Sequence, residues 1–204
     1  GANAGAYTVL AAHRVGATGR LLAIEPDPIA RGWLAANVRL NALENVHIEP
    51  VAASDAMATM RFVADADTEN RIAERGCTRR TRTVHTAPLD RLVAERWGDA
   101  PVSLVKLDVE GAEGRVLAGA STLLSRAEPP TVLLEITDQC RRYGTTPAAI
   151  GDQLRRHGFR LYRFERAMRV LVADASPWHR TPNAIAVADR VRARVEDRLA
   201  RATD

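Results

Sequence analysis

The chain has 204 residues, of which 46% are hydrophobic and 26% charged. It is therefore long enough to bury one sizeable core, and its composition excludes a disordered or fibrous protein. Its net charge of +4 is compatible with nucleic-acid binding, but the arginines alternate with acids and aromatic residues make up only 4%. Stacking platforms for bases are therefore scarce, and we expect no nucleic-acid partner.

The cysteine content and the lack of export signals bear on the compartment. Cys77 and Cys140 stand alone, without CxxC or Cys/His spacing, which predicts neither a disulfide framework nor a zinc site. No apolar run approaches the roughly 20 residues that span a bilayer, and no charged leader precedes an apolar segment. We therefore expect a cytoplasmic protein without a membrane span.

Apolar clusters of strand length alternate along the chain with longer segments of helical period. In chain order, the pattern predicts a helix over 6–14, a strand over 20–25, a helix over 28–41, and strands over 46–51 and 59–63. A polar loop over 64–80 is followed by a strand over 81–87, a helix over 88–97, a strand over 102–107, and a helix to about 124. The remaining predictions are strands over 131–136, 159–164 and 183–188, a helix over 146–157, and a closing helix from 189. This alternation predicts an α/β fold with a mostly parallel sheet covered by helices on both faces.

Two features near the start of the chain suggest a nucleoside cofactor. The small-residue turn from Gly1 to Gly5 lets the backbone approach a ligand. Glu25 is the last residue of the next predicted strand, 20 residues beyond Gly5, where a carboxylate can accept hydrogen bonds from both ribose hydroxyls. A nicotinamide dinucleotide and S-adenosylmethionine both fit this pattern. The glycine spacing departs from G-x-G-x-x-G, which disfavours the dinucleotide.

An ordered set of motifs resembles the FkbM family of O-methyltransferases. The matching segments are 1–8 (GANAGAYT), 23–28 (AIEPDP), 36–41 (ANVRLN), 51–55 (VAASD), 105–113 (VKLDVEGAE), 116–120 (VLAGA), 133–136 (LLEI) and 183–187 (NAIAV). The resemblance implies a Rossmann-like class I methyltransferase sheet with an antiparallel late strand, and S-adenosyl-L-methionine as cofactor. It implies a methyltransferase domain over 1–188, followed by a basic amphipathic helix over 189–204. It also implies a strand before Gly1, so we expect an amino-terminal truncation that removes the first central strand.

The resemblance assigns the opening motif to the cofactor. Five residues would line its methionine and ribose side: Gly1, Asn3, Gly5, Tyr7 and Thr8.

Further cofactor contacts are implied at later strand ends. Glu25 would hold the ribose hydroxyls, whereas Ala53 and Ser54 would border the adenine. Asp108 would face the amino group of the cofactor or the acceptor.

A hydroxyl acceptor must lose a proton, and a positioned base speeds such steps by about 10²–10⁴-fold. Asp108 and Glu135, at the ends of two predicted strands, are the leading catalytic candidates, followed by His85 and His179. The two carboxylates could also bind Mg²⁺, but two ligands are too few to predict a metal site.

The predicted function is therefore methyl transfer from S-adenosylmethionine to a hydroxyl of a small molecule or glycan. Sugars, polyketides, lipid-linked glycans and peptides all stay open as acceptors. A non-catalytic domain that keeps the fold is one alternative, and an NAD-dependent oxidoreductase is a less favoured one. The closing helix is expected to pack on the body or on a partner subunit, which leaves a homo-oligomer open.

Overall fold

The computed structural model describes residues 1–64, 70–74 and 76–201. The chain divides into two compact units, Gly1–Ala87 and Pro88–Asp204. Both combine helices with strands, which confirms the predicted α/β class. None of the helices in the described ranges combines the length and apolar character needed to cross a membrane.

The described residues of the first unit form two helices and two small sheets. Its elements are α1 (Ala6–Val15), β1 (Leu21–Ile24), α2 (Pro28–Leu40), β2 (Val46–Glu49), β3 (Ala52–Ser54), β4 (Ala58–Val63), β5 (Arg71–Ile72) and β6 (Thr81–Pro88). Strands β1 and β2 are parallel, while the other four follow the order β3-β6-β4-β5. Helix α2 begins where the sequence predicts, because Asp27 caps it and Pro28 occupies its first turn.

Up to residue 201, the second unit has its strands in a five-stranded sheet with the order β10-β9-β11-β8-β7. Its elements are α3 (Leu89–Trp97), β7 (Leu104–Leu107), α4 (Glu113–Ala118), α5 (Ser121–Leu124), β8 (Thr131–Glu135), α6 (Pro147–Arg156), β9 (Phe159–Glu165), β10 (Val170–Ala173), β11 (Asn183–Ala188) and α7 (Arg192–Arg201). The core of this unit is mostly aliphatic, with one large aromatic side chain, and includes Leu117, Leu134, Ile150, Leu154 and Phe159, all essentially inaccessible to solvent.

Strand pairing is mixed rather than mostly parallel. Strand β11 runs antiparallel to β8, as expected for a late strand. Among the described pairings, β1/β2 and β7/β8 are parallel, whereas β4/β5, β4/β6, β8/β11, β9/β10 and β9/β11 are antiparallel. Short connections such as the one between β9 and β10 permit only antiparallel pairing, since a parallel pair needs a crossover of a dozen or more residues.

The helix predicted to run to about 124 is two helices. Asp90 of α3 breaks it, because its carboxylate oxygens accept hydrogen bonds from the N–H groups of Thr122 (2.8 Å) and Leu123 (2.8 Å). These donors start a new helix, α5, and the N–H of Asp90 in turn binds the carbonyl of Gly119. Because the capping aspartate lies 32 residues before Thr122, the sequence around the break carries no signal that predicts it.

Four other features differ from the prediction. The strand expected over 46–51 ends at Glu49, and β3 occupies the expected turn at Ser54. Residues 65–69 and 75 of the predicted loop lie outside the described residues, but β5 within that loop pairs with the end of β4. The closing helix starts at Arg192 after a 3₁₀ turn, and residues 202–204 lie outside the described part.

Candidate functional site

The opening turn is fixed at the carboxyl end of β1. The N–H of Ala2 donates to the carbonyl of Ile24 (3.0 Å), and the N–H of Gly5 donates back to the carbonyl of Ala2 (3.0 Å). Asn3 (φ 49°) and Gly5 (φ 94°) both have left-handed backbone conformations, which favour glycine and tolerate asparagine. The sequence therefore folds here into a tight turn that leads into α1.

Helix α2 supports this turn from one side. The side-chain amide of Asn37 donates to the carbonyl of Ala4 (2.8 Å). A Cβ at Gly5 would lie 2.6 Å from Cδ1 of Leu34, so the turn packs directly on the helix. Leu34 and Asn37 are three residues apart and thus share a helix face. Sequence reasoning gave neither a role, although Asn37 lies in one of the matching motifs.

Glu25 lies beside the opening turn, as the strand spacing predicts. Its side chain is only 5% exposed. One carboxylate oxygen accepts the N–H of Asn3 (2.8 Å), and the other accepts the N–H of Asp27 (2.9 Å). Because each carboxylate oxygen can accept two hydrogen bonds, these two N–H groups use one acceptor position on each oxygen.

Asp27 is a buried acid that sequence reasoning missed. It is 2% exposed, and its carboxylate accepts hydrogen bonds from the N–H of Ile29 (3.0 Å) and the amide of Asn70 (2.6 Å). A guanidinium nitrogen of Arg82 lies 3.3 Å from the same carboxylate. The aspartate therefore ties β6 and residue 70 to the start of α2. Its place before Pro28 is a helix-capping signal that could have identified it.

The remaining residues expected around the cofactor differ in exposure. Gly1 and Tyr7 are exposed, Thr8 is buried, and Ala53 is half-buried. Ser54 is fully buried in β3, and its hydroxyl donates to the carboxylate of Asp55 (2.9 Å).

In the second unit, the two catalytic candidates lie side by side. The register of parallel strands β7 and β8 pairs Leu107 with Leu134, so the residues that follow, Asp108 and Glu135, are neighbours. The two carboxyls are close enough for the charge of Asp108 to act on Glu135. Lys106 lies on the same strand as Asp108, and its ammonium donates to that carboxylate (2.8 Å).

The environment of this carboxyl pair raises the pKa of Glu135. Burial is the largest cause, followed by the negative charge of Asp108, while the positive charge of Lys106 acts in the opposite direction. A carboxyl with a raised pKa is a stronger base once it is ionised. The raised pKa of Glu135 is therefore what a proton-accepting carboxyl needs.

A strained turn directly follows Asp108. The N–H of Ala112 donates to the carbonyl of Val109 (3.3 Å), and the two central residues, Glu110 (φ 56°) and Gly111 (φ 99°), both have positive φ. This is the pattern of a type I′ turn. Glu113 closes it, because its carboxylate accepts the N–H groups of Val109 and Gly111, both at 3.2 Å. The motif over 105–113 contains Glu113, but the sequence alone does not indicate that this residue closes the turn.

The histidine candidates and the cysteines add little to either site. His85 is exposed on β6, with a ring nitrogen 3.3 Å from the hydroxyl of Thr59. His179 lies in a 3₁₀ turn beside Trp178. Cys140 is buried, and burial raises the pKa of its thiol. Within the described ranges, no three His, Cys, Asp or Glu side chains are grouped so that they could hold a metal ion.

A comparison with known protein families shows to which family this chain is related. The family described as the methyltransferase FkbM domain matches residues 1–161. The chain belongs to this family. The FkbM match covers the opening turn, Glu25, the carboxyl pair and the turn at Glu110.

A solved structure supports the FkbM fold. The crystal structure of methyltransferase FkbM from Methylobacillus flagellatus KT resembles this chain with a TM-score of 0.59 and 17% sequence identity. The similarity covers 91% of this chain and 41% of that one, so this chain spans about two-fifths of the length of that protein. A comparison with curated proteins finds no match.

Proposed function

We propose that this chain is an S-adenosylmethionine-dependent methyltransferase that transfers a methyl group to a hydroxyl of a small molecule or glycan. Membership of the FkbM family supports the methyl-transfer class. The observation that carries the choice of cofactor is Glu25, buried against the opening turn with one N–H group bound to each carboxylate oxygen. We assign the activity to residues 1–188, with α7 following them.

The residues of the first unit fit the proposed cofactor. We assign the second acceptor position of each Glu25 oxygen to the adjacent hydroxyls of a ribose. The turn from Gly1 to Gly5 presents mostly backbone and small side chains, which is what a close-fitting amino-acid group needs. Asn3, Tyr7 and Thr8 belong to the same proposed surface, and the backbone at Ala53 and Ser54 is proposed to border the adenine. When bound, the cofactor supplies a methyl group activated on a sulfonium and a neutral thioether as leaving group.

The carboxyl pair is proposed to remove the proton of the acceptor hydroxyl. Glu135 is the proton acceptor, because burial and the neighbouring charge of Asp108 raise its pKa. Asp108 acts on Glu135 through its negative charge and is itself held by the ammonium of Lys106. A base positioned in this way contributes about 10²–10⁴-fold to the rate.

Titration calorimetry with S-adenosylmethionine and with NAD tests the cofactor. We expect binding of the first and none of the second. Glu25→Ala should weaken binding by about tenfold or more, since hydrogen bonds to a charged group contribute about 1.5–3 kcal/mol. Glu44→Ala, which removes an exposed acid of the same unit, is the matched control and should bind normally. Equal affinity in the two variants would refute the ribose assignment.

The base is tested by transfer of a labelled methyl group to a panel of methyl glycosides and simple alcohols. Glu135→Gln should lower kcat by about 10²-fold or more while leaving the affinity for S-adenosylmethionine unchanged. Asp138→Asn, an exposed acid three residues further on, is the control. Full activity of Glu135→Gln would exclude Glu135 as the base.

A further inference from the structure

The two faces of the five-stranded sheet differ in how deeply their central residues are buried. On one face these residues are all at most 1% exposed: Val132, Leu134, Ala184 and Ala186. On the opposite face, Leu133 and Ile185 are only half-buried. Side chains alternate between the two faces along a strand, so Glu135, two residues after Leu133, also projects from the second face. The face that carries the proposed base is therefore the more accessible one.

The strand register brings two further residues to the same edge of this face. Asn183, the first residue of β11, lies directly opposite Glu135, and opposite residues of an antiparallel pair project from one face. Ile185, two residues after Asn183, lies opposite Tyr162 of β9. Phe164 follows Tyr162 by two residues, and because β9 and β11 are antiparallel it lies at the same end of the sheet as Asn183. Since neighbouring strands are about 4.8 Å apart, the row from Glu135 through Asn183 to Phe164 spans roughly 10 Å.

The side chains of this row combine polar and apolar recognition. Asn183 is exposed, and its amide can both donate and accept hydrogen bonds. Phe164 is 41% exposed, so part of its ring is accessible to a ligand. A pyranose ring carries hydroxyls around its edge and C–H groups on its faces, so it can hydrogen-bond to an amide while an aromatic ring stacks on it. Ligand sites typically join aromatic surface to a few placed polar groups in this way.

A buried hydroxyl on the same face lacks a partner. Tyr162 is 3% exposed, and its hydroxyl oxygen has no hydrogen-bond partner among residues 1–64, 70–74 and 76–201. Buried tyrosine hydroxyls usually have one, and an unpaired one needs an explanation such as a bound polar molecule. This face of the sheet therefore favours a hydroxylated ligand over a purely apolar one.

We propose that the acceptor is a saccharide bound on this face of the sheet, with Asn183 hydrogen-bonded to a hydroxyl next to the one that Glu135 deprotonates and Phe164 stacked on a sugar ring. This inference rests on the proposed function and narrows its acceptor to one chemical class. Asn183 selects the hydroxyl that lies at Glu135, because an amide beside the base binds the neighbouring hydroxyl. Phe164 contributes affinity for the ring and takes no part in proton removal.

Phe164→Ala tests the stacking contact, with Met168→Ala as the matched control. Met168 is a more exposed apolar residue (67%) four positions further on, between β9 and β10 and outside the row. The probe is the methyl glycoside that the wild-type protein methylates fastest. Phe164→Ala should raise the KM for this glycoside by about three- to tenfold, as expected for a lost aromatic contact. Met168→Ala should leave that KM unchanged, and neither variant should change the affinity for S-adenosylmethionine.

Asn183→Ala tests the selection of one hydroxyl. The kcat/KM for the glycoside should fall by about three- to tenfold, as expected for one lost hydrogen bond. Because the amide no longer holds the ring in one orientation, methyl groups should also appear on more than one hydroxyl, which NMR of the products detects. A merely structural role would not change this product pattern. Both substituted side chains are exposed, so the Tm of Phe164→Ala and of Asn183→Ala should equal that of the wild type.

Either an unchanged KM in Phe164→Ala or an unchanged product pattern in Asn183→Ala would overturn the proposal. A lowered Tm in either variant would assign that residue to the fold and would also overturn it. So would a wild-type protein that methylates simple alcohols or cyclohexanol with the same kcat/KM as the best methyl glycoside. A wild-type protein that binds no S-adenosylmethionine and methylates no probe would instead refute the proposed function.

Discussion

Replacing Gly5 by alanine tests how tightly the opening turn packs on α2. An alanine would have to adopt φ 94°, which costs about 1–2 kcal/mol for an L-residue. Its Cβ would also lie 2.6 Å from Cδ1 of Leu34, a side chain with 0% exposure. Overpacking of a filled core adds about 1–3 kcal/mol. We therefore expect Gly5→Ala to lower the free energy of unfolding by roughly 2–5 kcal/mol.

Denaturant unfolding measures this loss, and Gly144→Ala separates its two parts. Gly144 is also in the left-handed region (φ 74°, ψ 20°), but a Cβ there meets no other described atom within 4 Å. Its variant should lose only the backbone part, about 1–2 kcal/mol. The double variant Gly5→Ala/Leu34→Ala should be more stable than the sum of the two single losses predicts, because the smaller side chain removes the clash. Equal losses in Gly5→Ala and Gly144→Ala would refute the tight contact.

Three further predictions concern the supports of the two sites. Asn37→Ala should lower the free energy of unfolding by about 0.5–1.5 kcal/mol, because the turn loses its hydrogen bond to α2. It should also weaken S-adenosylmethionine binding measured by calorimetry. Unchanged affinity would show that the turn needs no such support. Lys106→Met should move the acidic limb of the pH profile of kcat/KM to higher pH, because Lys106 lowers the pKa of Glu135. Asp108→Asn should move the same limb to lower pH, because Asp108 raises that pKa. Shifts in the same direction would contradict Glu135 as the base. Burial raises the pKa of Glu113 above its ordinary 4.5, so its contribution to stability is fully present below pH 4.5 and is lost as the pH rises through the folded-state value. The stability of Glu113→Gln relative to wild type should therefore increase with pH across that window, and a constant difference in unfolding free energy would exclude the titration.

The sequence predicted those elements whose causes are local. Helix α2 starts at a capping aspartate and a proline, and both signals lie within two residues of the boundary. The position of Glu25 beside the turn also followed from the sequence, because the carboxyl end of one strand and the next helix start lie at the same edge of the sheet. The same argument placed Asp108 and Glu135 together, and the register of β7 and β8 confirms it.

The parts that the sequence could not predict depend on distant partners. The break between α4 and α5 comes from Asp90, which lies 32 residues before the N–H of Thr122 that it accepts. The partners of Asp27 include Asn70, 43 residues away. Gly111 needs to be glycine partly because Gln139 lies against it. Such contacts join residues that are far apart in the sequence, so neither hydrophobic periodicity nor composition predicts them.

The two candidate sites share one structural feature, and this affects how the Glu25 variants must be interpreted. Glu25 accepts the N–H of Asn3 (φ 49°), and Glu113 accepts the N–H groups on either side of Glu110 (φ 56°). In both cases a buried carboxylate stabilises a turn with a left-handed residue. Glu25→Ala therefore removes a ribose contact and a turn support together. Glu25→Gln keeps an acceptor for one N–H, so its affinity for S-adenosylmethionine should lie between wild type and Glu25→Ala. If glutamine binds as weakly as alanine while the unfolding free energy stays at the wild-type value, the lost affinity belongs to the charge of the carboxylate and not to the shape of the turn.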